Sequence, residues 1–303
     1  MNLILLSAAL LTVFVPSVPQ RKSTTPKRAT ATAVVLTTEP NAIVWVDEIR
    51  RGSTDASGKL SLSKLSPGAH KVRVRAAGFK EATMPLAPGS PAITVKLVTT
   101  ADEAELTFQR AETARDAARD DSSKEQAAEL YRDAIKLRPS FPAAQVGLAR
   151  LLMDLNQFQK AHAAIDAARR SRPIYPEASA VEGRIFHQSA FNDESIRSFR
   201  RSIREANGFQ PEAHVGLAKV LEEKGQFEEA VMEYRKAIAQ LSDSEPVIYQ
   251  MLGATYEKLE KPKDAVVAYE KYLELAPNGS YAGAIRSILD QLKREAAGEQ
   301  IIP

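Results

Sequence analysis

The sequence predicts a multidomain chain, β first and all-α after: a small antiparallel β-sandwich, then an α-solenoid of five helix pairs with a carboxy-terminal capping helix. Three observations predict it. Between residues 33 and 99, apolar and polar residues alternate with period two, and turn residues interrupt them every few positions. From Phe108 onward the sequence resembles itself every 34 to 35 residues. After Pro277, apolar residues recur with helical period once more and then stop.

Composition bounds the function classes. With 303 residues, 44% hydrophobic and 26% charged, the chain has the make-up of two folded domains. Mean hydropathy is −0.27, which excludes a polytopic membrane protein. The absence of cysteine excludes disulfide frameworks, thiolate metal sites and cysteine nucleophiles. Residues 20–100 carry a formal charge of +8 and residues 101–303 one of −5. The basic character is therefore local, and no nucleic-acid partner is expected.

Residues 1–17 read as a signal peptide or anchor. Leu3–Val15 is an uncharged apolar run of thirteen residues, short for a bilayer span, and Pro16 and Pro19 end any helix there. The chain is accordingly expected to be exported, to a periplasm or cell surface. Residues 18–32, rich in Pro, Ser and Thr and holding Arg21, Lys22, Lys27 and Arg28, read as a disordered basic linker. Such a linker could attach to an anionic envelope polymer or membrane surface.

The β domain is expected over residues 33–99. Ala42–Asp47, His70–Arg75 and Ala92–Leu97 alternate as half-buried strands do, with Val72 and Val74 on one face and Lys71, Arg73 and Arg75 on the other. Turns fall at Glu39-Pro40-Asn41, Ser57-Gly58, Ser66-Pro67-Gly68, Ala77-Gly78 and Pro88-Gly89. Trp45 and Phe79 are the expected large core fillers. Asp47 and Asp55 read as turn carboxylates that bond local backbone, not as metal ligands.

This segment resembles the PEGA domain of prokaryotic envelope proteins. The resemblance lies in Pro40-Asn41-Ala42, Val44-Trp45-Val46-Asp47, Gly52-Ser53-Thr54, Pro67-Gly68-Ala69-His70-Lys71-Val72-Arg73-Val74 and Gly78-Phe79. Asn41 and Glu48 stand where that family usually has glycine. The resemblance implies an accessory surface module without catalysis.

The repeats are expected over residues 101–279, with starts near Phe108, Pro142, Pro176, Pro211 and Pro246. In the fourth copy Leu217-Ala218, Leu221, Gly225, Phe227, Ala230, Tyr234 and Ala237 fall at fixed offsets; in the fifth, Leu252-Gly253, Tyr256, Ala265, Tyr269 and Pro277 do. The pattern resembles the tetratricopeptide repeat, a helix pair whose small residues admit close packing and whose aromatics fill the space beyond. Ser195 and Ser202 at alanine positions make the third copy the weakest internal one. Thr100 with Glu103 reads as a capping box opening the first helix. Ala114-Arg115 reads as a polar outer face on the first copy. Residues 280–297, with Tyr281, Ile285, Ile288, Leu289 and Leu292 on one stripe, form the capping helix.

Neither a phosphate loop, nor a metal-protease motif, nor a nucleophile elbow is visible, so no enzyme, cofactor or metal is expected. What the repeat resemblance implies is a concave groove that holds a protein or peptide. Offset nine of each repeat reads Asp116, Arg150, Arg184, Lys219 and Ala254, and offset five contributes Val146, Ala180 and Val215. Arg150, Arg184 and Lys219, flanked by Val146 and Val215, are the candidate groove residues, and the expected ligand is an extended acidic segment. The function read from the sequence is an exported, non-enzymatic scaffold; the other reading is attachment to anionic polymer through the linker and β domain.

Overall fold

The computed structural model describes residues 33–63, 65 and 68–297; the expected signal segment and basic linker and the Ser66-Pro67 part of one predicted turn lie outside the described residues. Among the described residues seven strands form two small sheets. One contains β1 (Val34–Thr37), β4 (Lys59–Leu62) and β7 (Ala92–Thr94) in the order β4-β1-β7. The other contains β2 (Ile43–Val46), β3 (Ile49–Ser53), β5 (His70–Arg75) and β6 (Ala82–Leu86) in the order β3-β2-β5-β6. Their inner faces meet in a core of Val34, Leu36, Ala42, Val44, Val46, Leu62, Val72, Val74, Leu86 and Val95. One pairing departs from an all-antiparallel arrangement: β1 and β7 run parallel.

The turns explain the domain's departures from glycine. Asn41 (φ 55°), Asp47 (φ 51°) and Glu48 (φ 64°) all adopt the left-handed backbone that a tight turn requires. Asp47 Oδ1 accepts the Lys71 N–H at 2.8 Å, and its Oδ2 lies 2.6 Å from His70 Nδ1. Asp55 Oδ1 accepts the Ser57 and Lys59 N–H groups at 2.8 and 2.9 Å, and these bonds hold its carboxyl below the usual range. Buried Thr54 fastens the Pro40 turn, donating to Glu39 O at 2.7 Å and accepting the Ala42 N–H at 2.8 Å.

Trp45 is not a core filler. The buried phase of β2 is Ala42, Val44 and Val46, which leaves Trp45 on the opposite face. Register places it across from Arg73, whose guanidinium lies 4.1 Å from the ring centroid, with Arg75 at 5.4 Å. Phe79 is half-buried and packs on the edge of the β core.

Eleven helices follow among the described residues. The pairs are α1 (Glu103–Ala117) with α2 (Asp121–Leu137), α3 (Pro142–Asp154) with α4 (Phe158–Ser171), α5 (Pro176–Gln188) with α6 (Asn192–Glu205), α7 (Pro211–Glu223) with α8 (Phe227–Leu241), and α9 (Val247–Lys258) with α10 (Pro262–Leu275). Proline at the first helical position opens α3, α5 and α7, where its missing N–H costs nothing. Helix α1 starts later than the Thr100 box implied: its cap is Asp102, whose side chain accepts the Ala104 and Glu105 N–H groups. Thr100 instead accepts the Asp102 N–H.

First helices of successive pairs approach one another (α1 with α3, α3 with α5, α5 with α7), while no two second helices among α2–α10 come as close. The layer of first helices is therefore the inner, concave side. Helix α11 (Ala282–Ala297) covers the end of the array, seating Ala282, Ile285 and Leu292 against Ala265, Tyr269 and Tyr272. In the third copy Ser195 and Ser202 are buried, yet each hydroxyl donates to a carbonyl, of Gly183 at 2.8 Å and of Pro176 at 2.7 Å. The serines are thus satisfied at positions where alanine needs no partner. No helix among the described residues is long and apolar enough to cross a membrane.

Candidate functional site

The inner face is lined by offsets two, five and nine of the first helices. Helical spacing places these three or four residues apart, on one stripe. The structure gives the predicted cations unequal surroundings. Arg150 Nη2 lies 3.1 Å from Glu177 Oε1 and 3.6 Å from Glu212 Oε2. Arg184 Nη1 donates to Glu212 Oε1 at 3.1 Å. Burial disfavours charge on Arg150, but Glu177, Glu212 and Glu112 outweigh it and push its pKa up. Burial likewise works against the Glu212 carboxylate, and Arg150 with Arg184 more than offsets it, so its pKa falls.

The acidic partners stand at offset two of the following repeat, so the arginine column is neutralised inside the array. Lys219 differs: it is exposed and forms no ion pair among the described residues. Val146 is 1% exposed, inside the cluster of Phe108, Tyr131 and Phe141, and is thus closed to a ligand. Val215 is half-buried against the cluster of α6–α9.

The first repeat's inner face is occupied by the β domain. Gln109, at offset two, reads one short stretch of backbone: its Oε1 accepts the Gly78 N–H at 3.0 Å and its Nε2 donates to Phe79 O at 2.8 Å. Glu112, at offset five, takes Arg75 Nη1 at 2.9 Å, and the Arg75 guanidinium also lies 4.9 Å from the Phe108 ring centroid. Asp116, at offset nine, accepts from Arg50 Nη1 at 3.0 Å. Farther along, Ile49 packs against the cluster built from Ala180 and helices α6–α9.

Glu112 is the hub of this contact. Besides Arg75 it pairs with Arg115 Nη1 at 2.8 Å and accepts the Tyr131 hydroxyl. Burial first, and then the Glu112 charge, pushes the Tyr131 phenol up, so it stays a donor. Arg115 is therefore part of an interior network and not of a solvated outer face. The sequence reading passed over Gln109, Glu112, Arg75 and Arg50. The usable signal was that offsets two and five of the first copy are polar, whereas offset five is apolar in the next three copies.

Among the described residues no group of three or more His, Asp or Glu side chains is placed to hold a metal ion. The arrangement can bind backbone amides and single charges.

Comparison with known proteins agrees with this geometry. Tetratricopeptide-repeat models match residues 124–185, 181–246 and 246–278. No curated protein matches the chain. Among solved structures, PilW, described as a widely conserved type IV pilus biogenesis factor, is 17% identical with a TM-score of 0.55, over 66% of this chain and 91% of that one. The pilF protein of Pseudomonas aeruginosa is 14% identical with a TM-score of 0.54, over 64% and 87%. A thermophilic repeat protein of Thermus thermophilus is 17% identical with a TM-score of 0.50, over 63% and 98%. At these identities the likeness is one of fold. The matched repeats run without a gap from residue 124 to residue 278, and this part of the chain is an array of tetratricopeptide repeats.

Proposed function

We propose that the chain is a non-catalytic scaffold that holds a protein partner on the inner face of its first helices. The observation that carries this reading is the occupied first repeat. Gln109, Glu112 and Asp116 already hold a polypeptide there, by a pair of backbone hydrogen bonds and two arginine contacts. The same face in the fourth and fifth repeats offers Lys219 and Ala254, with no β-domain side chain paired to either. Neutralisation of Arg150 and Arg184 narrows the expected ligand from a generally acidic segment to an extended one with an acidic residue at Lys219.

The test is partner capture from the native source by wild type and by a variant carrying Lys219→Glu and Ala254→Arg, with helicity checked on both. Loss of capture by a folded variant is expected; undiminished capture would put the partner elsewhere.

Export belongs to the same proposal. The apolar Leu3–Val15 run followed by Pro16 supports it, and the likeness of residues 33–99 to PEGA domains supports an envelope role. Intact-mass measurement should find a mature chain starting near Val18, and a cytosolic chain retaining Met1 would contradict it.

A further inference from the structure

The β domain and the helical array have separate cores. The β cluster stops at residues 97 and below, and the repeat clusters draw from it only Ile49. What joins the two is a set of long side chains. Arg50 and Asp116 are 51% and 37% exposed, a weak kind of pair, and Arg75 reaches Glu112 from the Trp45 face of the sheet, which it shares with Arg50.

The connecting segment belongs to the β side. Lys80 N–H donates to Val98 O at 2.8 Å and Thr100 N–H to Gly78 O at 2.9 Å, which leaves Ala101, exposed, between this small ladder and the Asp102 cap. A contact of this size between two complete cores moves readily. Yet it fills offsets two, five and nine of the first repeat together, the same offsets that line the inner face elsewhere in the array.

We propose that the first repeat is a recognition site in its own right, filled in cis by the β domain. A competing partner would present an arginine together with a free backbone N–H and C=O in a turn. The chemistry is read from the occupant. Glu112 selects a guanidinium, which it meets beside Arg115 and Tyr131. Gln109 selects a short stretch of turn backbone, the N–H of one residue and the C=O of the next, and is indifferent to the side chains around it. In the closed form partners reach only the fourth and fifth repeats; in the open form the first repeat becomes available as well. This inference rests on the scaffold reading above and assigns a second partner position to the same face.

A fluorescent peptide of residues 73–81, which holds Arg75, Gly78 and Phe79, is the probe. The full chain is compared with a variant carrying Arg50→Glu and Arg75→Glu, in which like charges face Asp116 and Glu112. The cis domain competes at a high effective concentration, so the opened variant should bind the peptide at least ~10-fold more tightly than wild type. Adding Gln109→Ala to the opened variant should abolish that gain.

Equal binding to wild type and opened chain would overturn cis occupancy. No binding to the opened chain, or binding that survives Gln109→Ala, would overturn the recognition site. Should Arg75→Glu disturb the β fold by circular dichroism, Ile49→Asp with Arg50→Glu on edge strand β3 opens the contact without touching the β core, and a gain of about 3-fold is expected by the same competition. Failure of the peptide together with loss of capture by the Lys219 variant would remove this site and leave the scaffold reading standing.

Discussion

Phe199 is wedged between two glycines. A Cβ on Gly216 would stand 2.3 Å from its Cζ, and one on Gly183 2.7 Å from its Cδ1. Tyr131 stands so against Gly147, and Tyr269 against Gly253. The rings on α2, α6 and α10 thus set how near the adjacent first helices lie, which is why small and large residues alternate at fixed offsets. Gly216→Ala should cost about 1–3 kcal/mol by overpacking, although alanine is the better helix former. Gly283→Ala in α11, where a Cβ meets nothing within 4 Å, should instead gain about 0.5–1 kcal/mol. Chemical denaturation of both variants checks the pair of signs.

Charge acts at the same scale. Glu212 has its carboxyl depressed by Arg150 and Arg184 against the opposing effect of burial. A depressed carboxylate contributes stability that is present above its unfolded pKa of about 4.3 and is lost as pH falls through the lower folded value. Glu212→Gln should therefore flatten the acid limb of the stability profile below about pH 4 while leaving its shape near neutrality unchanged. A denaturation series from neutral to acid pH reads this directly.

Legibility also divides at the residue scale. The apolar offsets of the repeats were readable because packing permits few residue types there. Trp45 was not, because Ile43 and Trp45 make the outer face of β2 as apolar as Ala42, Val44 and Val46 make the inner one. Only strand register, which sets Trp45 across from Arg73, shows which face meets the second sheet. The arginine column shows the same gap. Glu177 and Glu212 lie 27 and 28 residues beyond Arg150 and Arg184, and pairing over that distance depends on how one repeat stacks on the next.

At the scale of elements, the turn inside each helix pair has one recurring demand. Asn156 (φ 58°), Ala190 (φ 62°), Gly225 (φ 73°) and Glu260 (φ 54°) occupy the same offset in four successive repeats, all left-handed. Glycine meets this demand at no steric cost, asparagine at little, and alanine or glutamate at about 1 kcal/mol or more. Ala190→Gly and Glu260→Gly should each stabilise the chain by about 0.5–1 kcal/mol, and Gly225→Ala should cost a similar amount. Thermal melts of the three variants test whether one backbone geometry governs all four turns. The sequence showed the offset in Gly225 alone, since neither alanine nor glutamate advertises a positive φ.

For the whole molecule, the decisive feature is that, among the described residues, β domain and helical array form a single compact unit. Two periodicities in the sequence, one of two residues and one of 34 to 35, divide the chain into a β module at 33–99 and a repeat module at 101–279. The structure adds that the first repeat's polar offsets turn inward onto the β domain, through Gln109, Glu112 and Asp116. Those residues could not be distinguished in the sequence from an ordinary solvated helix face, because their partners lie 30 to 66 residues earlier on a different kind of element.

Because the chain has no cysteine, this docking can be measured without background. Spin labels placed at Lys59→Cys on the β domain and Lys263→Cys on the fifth repeat, both exposed positions, report the distance between the two parts of the full chain. A docked β domain gives one narrow distance distribution, broadened by Arg75→Glu and sharpened again when Glu112→Arg is added to it. A broad distribution in the wild type, indifferent to both substitutions, would contradict the docking of the β domain on the first repeat.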